Sequence, residues 1–588
     1  MTMIYQGTFE RTLNQLVARF AEAQGSRIEA WTFDDETSRR AAELKLAKFG
    51  VEARFRSAYK PLLHFFLEEV DIASLSAIHV IYPMHSICHV DRFRSETYPL
   101  AALVGKVALT FEAGTQEDLF YQVRLGHKDG YTSAHSVFAP NRVHVDTIGV
   151  THVSPTGWIR IDGASPGERL QTDYEMLFEV AVQAVAAHEW GREEPYFEEL
   201  NIAVALPTED RRLPVGQEVI SLLEAMHEDL YFSIIEVFQK KSGRALGDWR
   251  GKPGQIVPEI RYVKAAPAVR IETRPLTETE AASKFMPLNQ AETPISAAQV
   301  RAELVQIGGD ALEARSRSGR SVTALYRKGF DRPVIISAGR HANETTGIVG
   351  ALRAAHALAA RPEAHFVVSP LENPDGYQLH WRLRTDNPYH LHHAARYTAL
   401  GDDFLNRATE PLFEKAIHKE AQRLSGAKLH LDLHGYPSHE WSRPLSGYLP
   451  LAFEKWAVPR GFCLLMQYHT GWEDAAELLI DKITRRLASL PGLIEFNAAQ
   501  IGLFQTHCGE TEFQMTNGVP CLIWEDNSYS VPILLTSEYP DETIYGRAFI
   551  AGHDAQTEFV LAAYESYQQF TAEETSRELT PAHKLPPL

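Results

Sequence analysis

Residues 331–360 constrain this chain more than any other stretch. Val334-Ile335-Ile336-Ser337-Ala338 is a short apolar run suited to a buried strand, and it stops at Gly339-Arg340. Thr345 to Ala360 then carries Ile348, Leu352, Ala355 and Leu358 at mostly helical spacing. Between strand and helix stand His341 and Glu344, three residues apart. Such a pair can converge on one metal ion, because imidazole nitrogen and carboxylate oxygen are both normal zinc ligands. The pattern by itself is short. A surface His beside a Glu near a helix N-terminus, where negative charge is favourable, reads the same way.

The flanking sequence continues the alternation. Ser321 to Arg327 and Arg332 to Ala338 read as strands, the helix follows to Ala360, and His365 to Pro370 is strand-like again. Alternating strands and helices predict an α/β sheet with helices on its faces, opened by a short helix at Ser296 to Leu304. A chain of 588 residues leaves room for about two to four domains. The stretch Ala266 to Pro294, rich in Pro, Thr, Ala and Glu, reads as a linker or surface segment and places a boundary near residue 290. Residues 1–290 are then a separate mixed α+β N-terminal domain, with helices over Phe9–Glu22, Ser38–Lys48, Tyr174–Glu189 and Val215–Lys241. Strand-like runs are expected at Phe65–Val70, at Ala77–Tyr82, through Lys106–Arg160 and at 201–207. His79, His85, Cys88 and His89 fall in this half at spacings that match no familiar metal site. Thr571 to Leu588 reads as a loose C-terminal tail.

Composition narrows the function. A net charge of -18 argues against nucleic acid as the main partner, because phosphate binding needs clustered Lys and Arg. The four cysteines are too few and scattered for a disulfide framework. No apolar signal core opens the chain, and no run approaches about 18 uninterrupted apolar residues, so a cytoplasmic protein without membrane association is expected.

Downstream of His341 and Glu344 come Asn373-Pro374-Asp375-Gly376-Tyr377, where Pro-Asp-Gly signals a turn, and then Trp381-Arg382. Leu429 to Tyr436 is an alternating strand that ends in His434-Gly435-Tyr436, and Val519 to Glu525 is a second apolar strand ending in an acid. This ordered set resembles the zinc metallocarboxypeptidases of the carboxypeptidase A superfamily over roughly residues 296–570. The resemblance implies a mixed central sheet flanked by helices in the C-terminal half. It also implies one zinc per chain held by His341, Glu344 and His434, with Glu525 as general base and Arg382 polarising the carbonyl. Asn406 and Arg407 would clamp a substrate's terminal carboxylate, although the match around them is loose. The family's mobile tyrosine has no counterpart; Leu503, Phe504 and His507 occupy its neighbourhood.

The residues also offer rivals. His430 shares a strand face with His434, as does Asp432, which could orient a ligand imidazole. Arg384 competes with Arg382, and Glu510 and Glu512 with Glu525. Glu510 falls near the expected floor of a side-chain pocket, where it would favour cationic substrates. His390, His392 and His393 read as a solvated loop. The expected activity is zinc-dependent hydrolysis of a peptide-type amide bond. The alternatives are an N-acyl amino acid amidohydrolase similar to the aspartoacylases and a non-catalytic peptide-binding scaffold. A peptide or N-acyl amino acid is the expected partner, and the sequence is compatible with a homo-oligomer.

Overall fold

The computed structural model describes residues 1–276, 284–449, 453 and 456–570. The expected C-terminal tail, and residues 277–283 of the expected linker, lie outside the described residues. The chain is a mixed α/β protein with several mixed sheets and flanking helices.

The largest sheet has nine strands, labelled here in chain order: β1 (Asp310–Arg315), β2 (Ser321–Arg327), β3 (Val334–Ala338), β4 (Phe366–Ser369), β5 (Leu429–Pro437), β6 (Cys463–Tyr468), β7 (Gln514–Thr516), β8 (Val519–Glu525) and β9 (Ile533–Glu542). Their spatial order is β1-β2-β4-β3-β5-β9-β6-β8-β7. The central strands β4, β3, β5 and β9 run parallel, whereas β6 is antiparallel to β9 and parallel to β8. All nine residues of β5 are buried, as expected of a parallel strand covered on both faces. The covering helices include Thr346–Ala359 and Arg547–Gln568, which pack on each other.

Glycines set that packing. A Cβ at Gly350 would come within 2.5 Å of Gln556, and one at Gly347 within 3.0 Å of Leu433. The helix Thr346–Ala359 therefore lies close against both β5 and its neighbouring helix.

Three smaller mixed sheets build the first half. Thr2–Thr8, Ala268–Arg274, Glu199–Leu206 and Gln255–Tyr262 form one, and Ala108–Glu117, Leu75–Met84, Phe120–His127 and Thr132–Phe138 another. The third joins Glu168–Arg169, Trp158–Ile161, Arg27–Thr32 and Glu52–Ser57.

Several expectations need correcting. Ala268–Arg274, assigned to the linker, is an inner strand between two partners. Phe65–Val70 is not a strand; the helix Pro61–Glu68 has proline at its start, where a missing N–H costs nothing. The Pro-Asp-Gly element opens the helix Pro374–Asp386, because Asn373 caps it by accepting from Gly376 N at 2.9 Å. Finally, the core of the first half continues into Leu379, Leu391, Tyr397, Trp441 and Tyr448 of the second, so residue 290 does not divide two cores. Among the described residues no helix is long and apolar enough to cross a membrane.

Candidate metal centre

The parallel strands β3, β5 and β9 end at one rim of the sheet, and the site is built there. β3 leaves the sheet at Gly339, whose φ of +64° favours glycine, and a Cβ there would press on Ile348 and Leu371 at 3.2 Å. The turn that follows carries Arg340, His341 and Glu344, closed by Glu344 N donating to His341 O at 3.2 Å. Asp541 of β9 accepts from both Thr346 N and Thr346 Oγ1 at 2.7 Å, which fixes the helix start beside β5. A Cβ at residue 435 would stand 2.0 Å from Asp541 Oδ1, so the position after His434 must be glycine.

His341, Glu344 and His434 meet at this rim, each at most 5 % exposed. One ligand atom from each lies within 4.8 Å of the others. His341 Nδ1 is 2.9 Å from Glu344 Oε1, and His434 Nδ1 is 2.7 Å from Oε2. The opposite nitrogens are also held. His341 Nε2 faces Asp403 at 3.3 Å, and His434 Nε2 faces Asp432 at 3.0 Å. Asp432 is fixed in turn by Ser337 Oγ at 2.9 Å and Arg340 at 3.4 Å.

A neutral imidazole has one N–H. If each histidine donates it to its outer carboxylate, both Nδ1 lone pairs point at the Glu344 carboxylate. That convergence of acceptors needs a proton or a metal cation between them. Two imidazole nitrogens and a carboxylate suit zinc, and anchored outer nitrogens are the usual support of metal-bound histidines. The residues therefore fit a metal ion.

Without an ion, the same groups settle the charges of the site among themselves. Burial opposes ionisation of Glu344, but the two histidines and Arg396 outweigh it and hold the carboxyl well below its usual range. Burial likewise disfavours charge on His434, yet Asp432 overrides it and pushes the imidazole up to about 10. His341 goes down, through burial and the nearby Arg396.

A second carboxylate stands at the same rim. Glu538 of β9 is the ladder partner of His434, and burial reinforced by Glu344, against the opposing pull of His434, raises its carboxyl to about 8. Arg396 donates to Glu344 Oε1 at 2.6 Å and supplies, with Arg340, the cationic side of the site.

No family model and no curated protein matches the sequence. Among solved structures, similar ones include a metallo-carboxypeptidase from Pseudomonas aeruginosa in complex with (2-guanidinoethylmercapto)succinic acid, at 14% identity and TM-score 0.28, covering 52% of this chain and 72% of that one. A metallo-carboxypeptidase from Burkholderia cenocepacia gives 14% identity and TM-score 0.27, covering 52% and 73%. An aspartoacylase family protein from Mesorhizobium loti gives 14% and 0.23, covering 42% and 65%. Likeness at this level establishes neither a fold family nor an activity.

The remaining expected site residues lie elsewhere. Glu525 ends β8, which runs antiparallel to β9, so its exposed carboxylate emerges at the opposite rim and accepts from Thr470 Oγ1 at 2.5 Å. Arg382 bridges to Glu199 at 2.9 and 3.0 Å and to Glu259 at 3.0 Å, joining the helix Pro374–Asp386 to strands of the first half. Arg384 stacks on Trp381 and Tyr545. Arg407 is buried among Asp402, Glu414 and Thr398, and Asn406 is exposed, so the two do not form a clamp. Glu510 is exposed. His390, His392 and His393 are buried, against the expectation of a solvated loop; His393 pairs with Glu228 at 2.6 Å and His390 with Asp210 at 2.5 Å. His430 turns to Ser337 Oγ at 2.6 Å. Glu538, Arg396 and Asp403 were missed. Only Glu538 left a signal, as an acid inside the strand-like run Ile533-Leu534-Leu535-Thr536-Ser537-Glu538-Tyr539.

Proposed function

We propose that this chain is a metallocarboxypeptidase-like hydrolase that cleaves an amide bond, with one zinc ion held by His341, Glu344 and His434. The observation that carries this reading is the convergence of two Nδ1 atoms on Glu344 while both Nε2 atoms are anchored on Asp403 and Asp432. When bound, such an ion supplies Lewis acidity, polarising a carbonyl and making water a stronger acid.

The chain's own residues do the rest. Glu538 takes the proton of the attacking water and returns it to the leaving nitrogen as the C–N bond breaks, giving a carboxylic acid and an amine. Its raised pKa suits a group that must both accept and release a proton near neutrality, and a cation at the site would draw that value down. Arg396 and Arg340 oppose the negative charge that develops on the carbonyl oxygen. Asp403 and Asp432 hold the two imidazoles in register.

The dispersal of Asn406 and Arg407 leaves the substrate's acid side open, which keeps an N-acyl amino acid amidohydrolase as the second reading. Screening peptides and N-acyl amino acids with and without 1,10-phenanthroline tests both. Hydrolysis that chelation abolishes and zinc restores is expected. Cleavage indifferent to chelator would contradict the proposal.

A further inference from the structure

Residues 390–397 belong to the second half in sequence and to the first half in packing. Leu391, Ala394, Ala395 and Tyr397 are buried in the core of the first half. The helix Leu222–Lys241 takes the polar groups of the same segment, through residues 224, 228 and 231, which share one helix face. Glu224 accepts from Leu391 N at 3.0 Å, and Glu228 Oε2 meets His393 Nδ1 at 2.6 Å. Tyr231 stacks on His393 and on Tyr397, with ring centroids 6.3 and 6.1 Å apart, and Trp249 stacks on the same Tyr397 at 5.4 Å. His390 is held by Ser221 at 3.2 Å and by Asp210 at 2.5 Å.

Arg396 is the exception. Its side chain crosses to the metal centre, where Nη1 donates to Glu344 Oε1 at 2.6 Å. A long arginine has many rotamers to lose, so its reach depends on where its backbone is held. Arg396 N donates to His393 O at 3.0 Å, which ties it to the residue that Glu228 grips. Glu228 and His393 are both buried, so water cannot replace their bond. From the second half, Asn373 Nδ2 reaches Arg396 O only at 3.4 Å, near the outer limit of a hydrogen bond.

We propose that the first half is a positioning element of the metal centre: Glu228 and Tyr231 hold residues 390–397 in the place from which Arg396 reaches Glu344. This role rests on the metal-centre reading and adds to it, because it makes side chains some hundred residues upstream part of the site's geometry. Glu228 touches neither metal nor substrate. It acts through His393 and Arg396, and its hydrogen bond, not its charge, does the holding.

Cobalt(II) bound in place of zinc tests this, because its visible absorption bands follow the geometry of its ligands, Glu344 among them. Arg396→Gln should shift those bands by releasing Glu344 Oε1, and Glu228→Leu should shift them in the same way. The double variant should add nothing to Arg396→Gln alone, as expected of groups that act through one another. Glutamine both donates and accepts, so Glu228→Gln keeps the bond to His393 and should leave the wild-type bands. Turnover, where a substrate is found, should fall at least about tenfold in Glu228→Leu at unchanged zinc content. If Glu228→Leu does not fold, Tyr231→Leu, which removes the stack on His393 and Tyr397, should give the shift instead. A merely structural Glu228 would lower the melting temperature and leave the bands alone. Bands unmoved by Arg396→Gln or by the folded Glu228 or Tyr231 variant, additive shifts in the double variant, or a Glu228→Gln spectrum like that of Glu228→Leu would overturn the proposal. A wild-type chain that takes up no cobalt defeats the metal-centre reading itself, whereas one that binds cobalt with bands indifferent to Glu228 defeats only the positioning role.

Discussion

Two glutamates at opposite rims of one sheet make different demands on substitution. Glu538 lies beside His434 in the ladder and is half-buried with a raised pKa, whereas Glu525 is exposed and bonded to Thr470. Glu538→Gln should retain metal and fold while turnover falls by about two to four orders of magnitude, the typical worth of a positioned general base. Glu525→Gln should stay within about threefold of wild type, since an exposed pair of this kind contributes little. Reversal of these two outcomes in steady-state kinetics would restore Glu525 as the base. Arg382 gives a parallel case. Its removal leaves the buried Glu199 with only the more distant Arg274 at 4.0 Å, and breaking a buried pair typically costs about 3–5 kcal/mol, less here because Arg382 is partly exposed and Arg274 remains. Arg382→Ala should therefore lower the melting temperature and leave turnover little changed; a large loss of turnover at unchanged stability would contradict this.

At the scale of elements, direction decides what residue patterns cannot. The apolar strand Val519–Glu525 was legible from alternation and apolar content, as was Leu429–Pro437 with its terminal His434. Which rim each strand points to was not, because the reversal between β9 and β6 depends on pairing between segments far apart in the chain. The Asn-Pro-Asp-Gly run was ambiguous for a related reason: the residues that favour a turn also favour a helix start.

The helix Leu222–Lys241 is the clearest tertiary override. It buries acids on nearly every turn, and each meets a partner from the second half: Glu224 with His439, Glu228 with His393, Asp229 with Leu445 N and Ser446 Oγ, and Glu236 with Arg443. Burial pushes the Asp229 carboxyl up to about 7, above the ordinary 3.8 of the unfolded chain. A raised carboxyl keeps its proton longer in the folded state. Its contribution to stability is therefore complete below about pH 4 and is lost as pH rises through about 7. Wild type should lose more melting temperature between pH 5.5 and 8 than Asp229→Asn does. Parallel curves would show that Asp229 is not the group responsible.

Over the whole molecule, the two halves are joined by one core and by ion pairs that cross between them. Compositional bias suggested a linker at 266–294, but the strand Ala268–Arg274 is an inner member of a sheet, and Leu379, Tyr397, Trp441 and Tyr448 extend the first core across the expected boundary. Such a seam could not be read from local composition, since burial of these residues depends on partners some two hundred positions away. A fragment of residues 284–570 should expose this apolar surface and fail to melt cooperatively on its own. A sharp transition in the fragment, matching one step of the full chain, would show that the halves are independent.

Elemental analysis of the purified full chain tests the metal centre most directly. About one equivalent of zinc per chain is expected in wild type. His434→Ala should lose it while keeping its far-ultraviolet circular dichroism, because both the anchored Nε2 and the Nδ1 ligand are removed. Wild type that takes up no zinc when supplied with it, or His434→Ala that binds a full equivalent, would contradict the account.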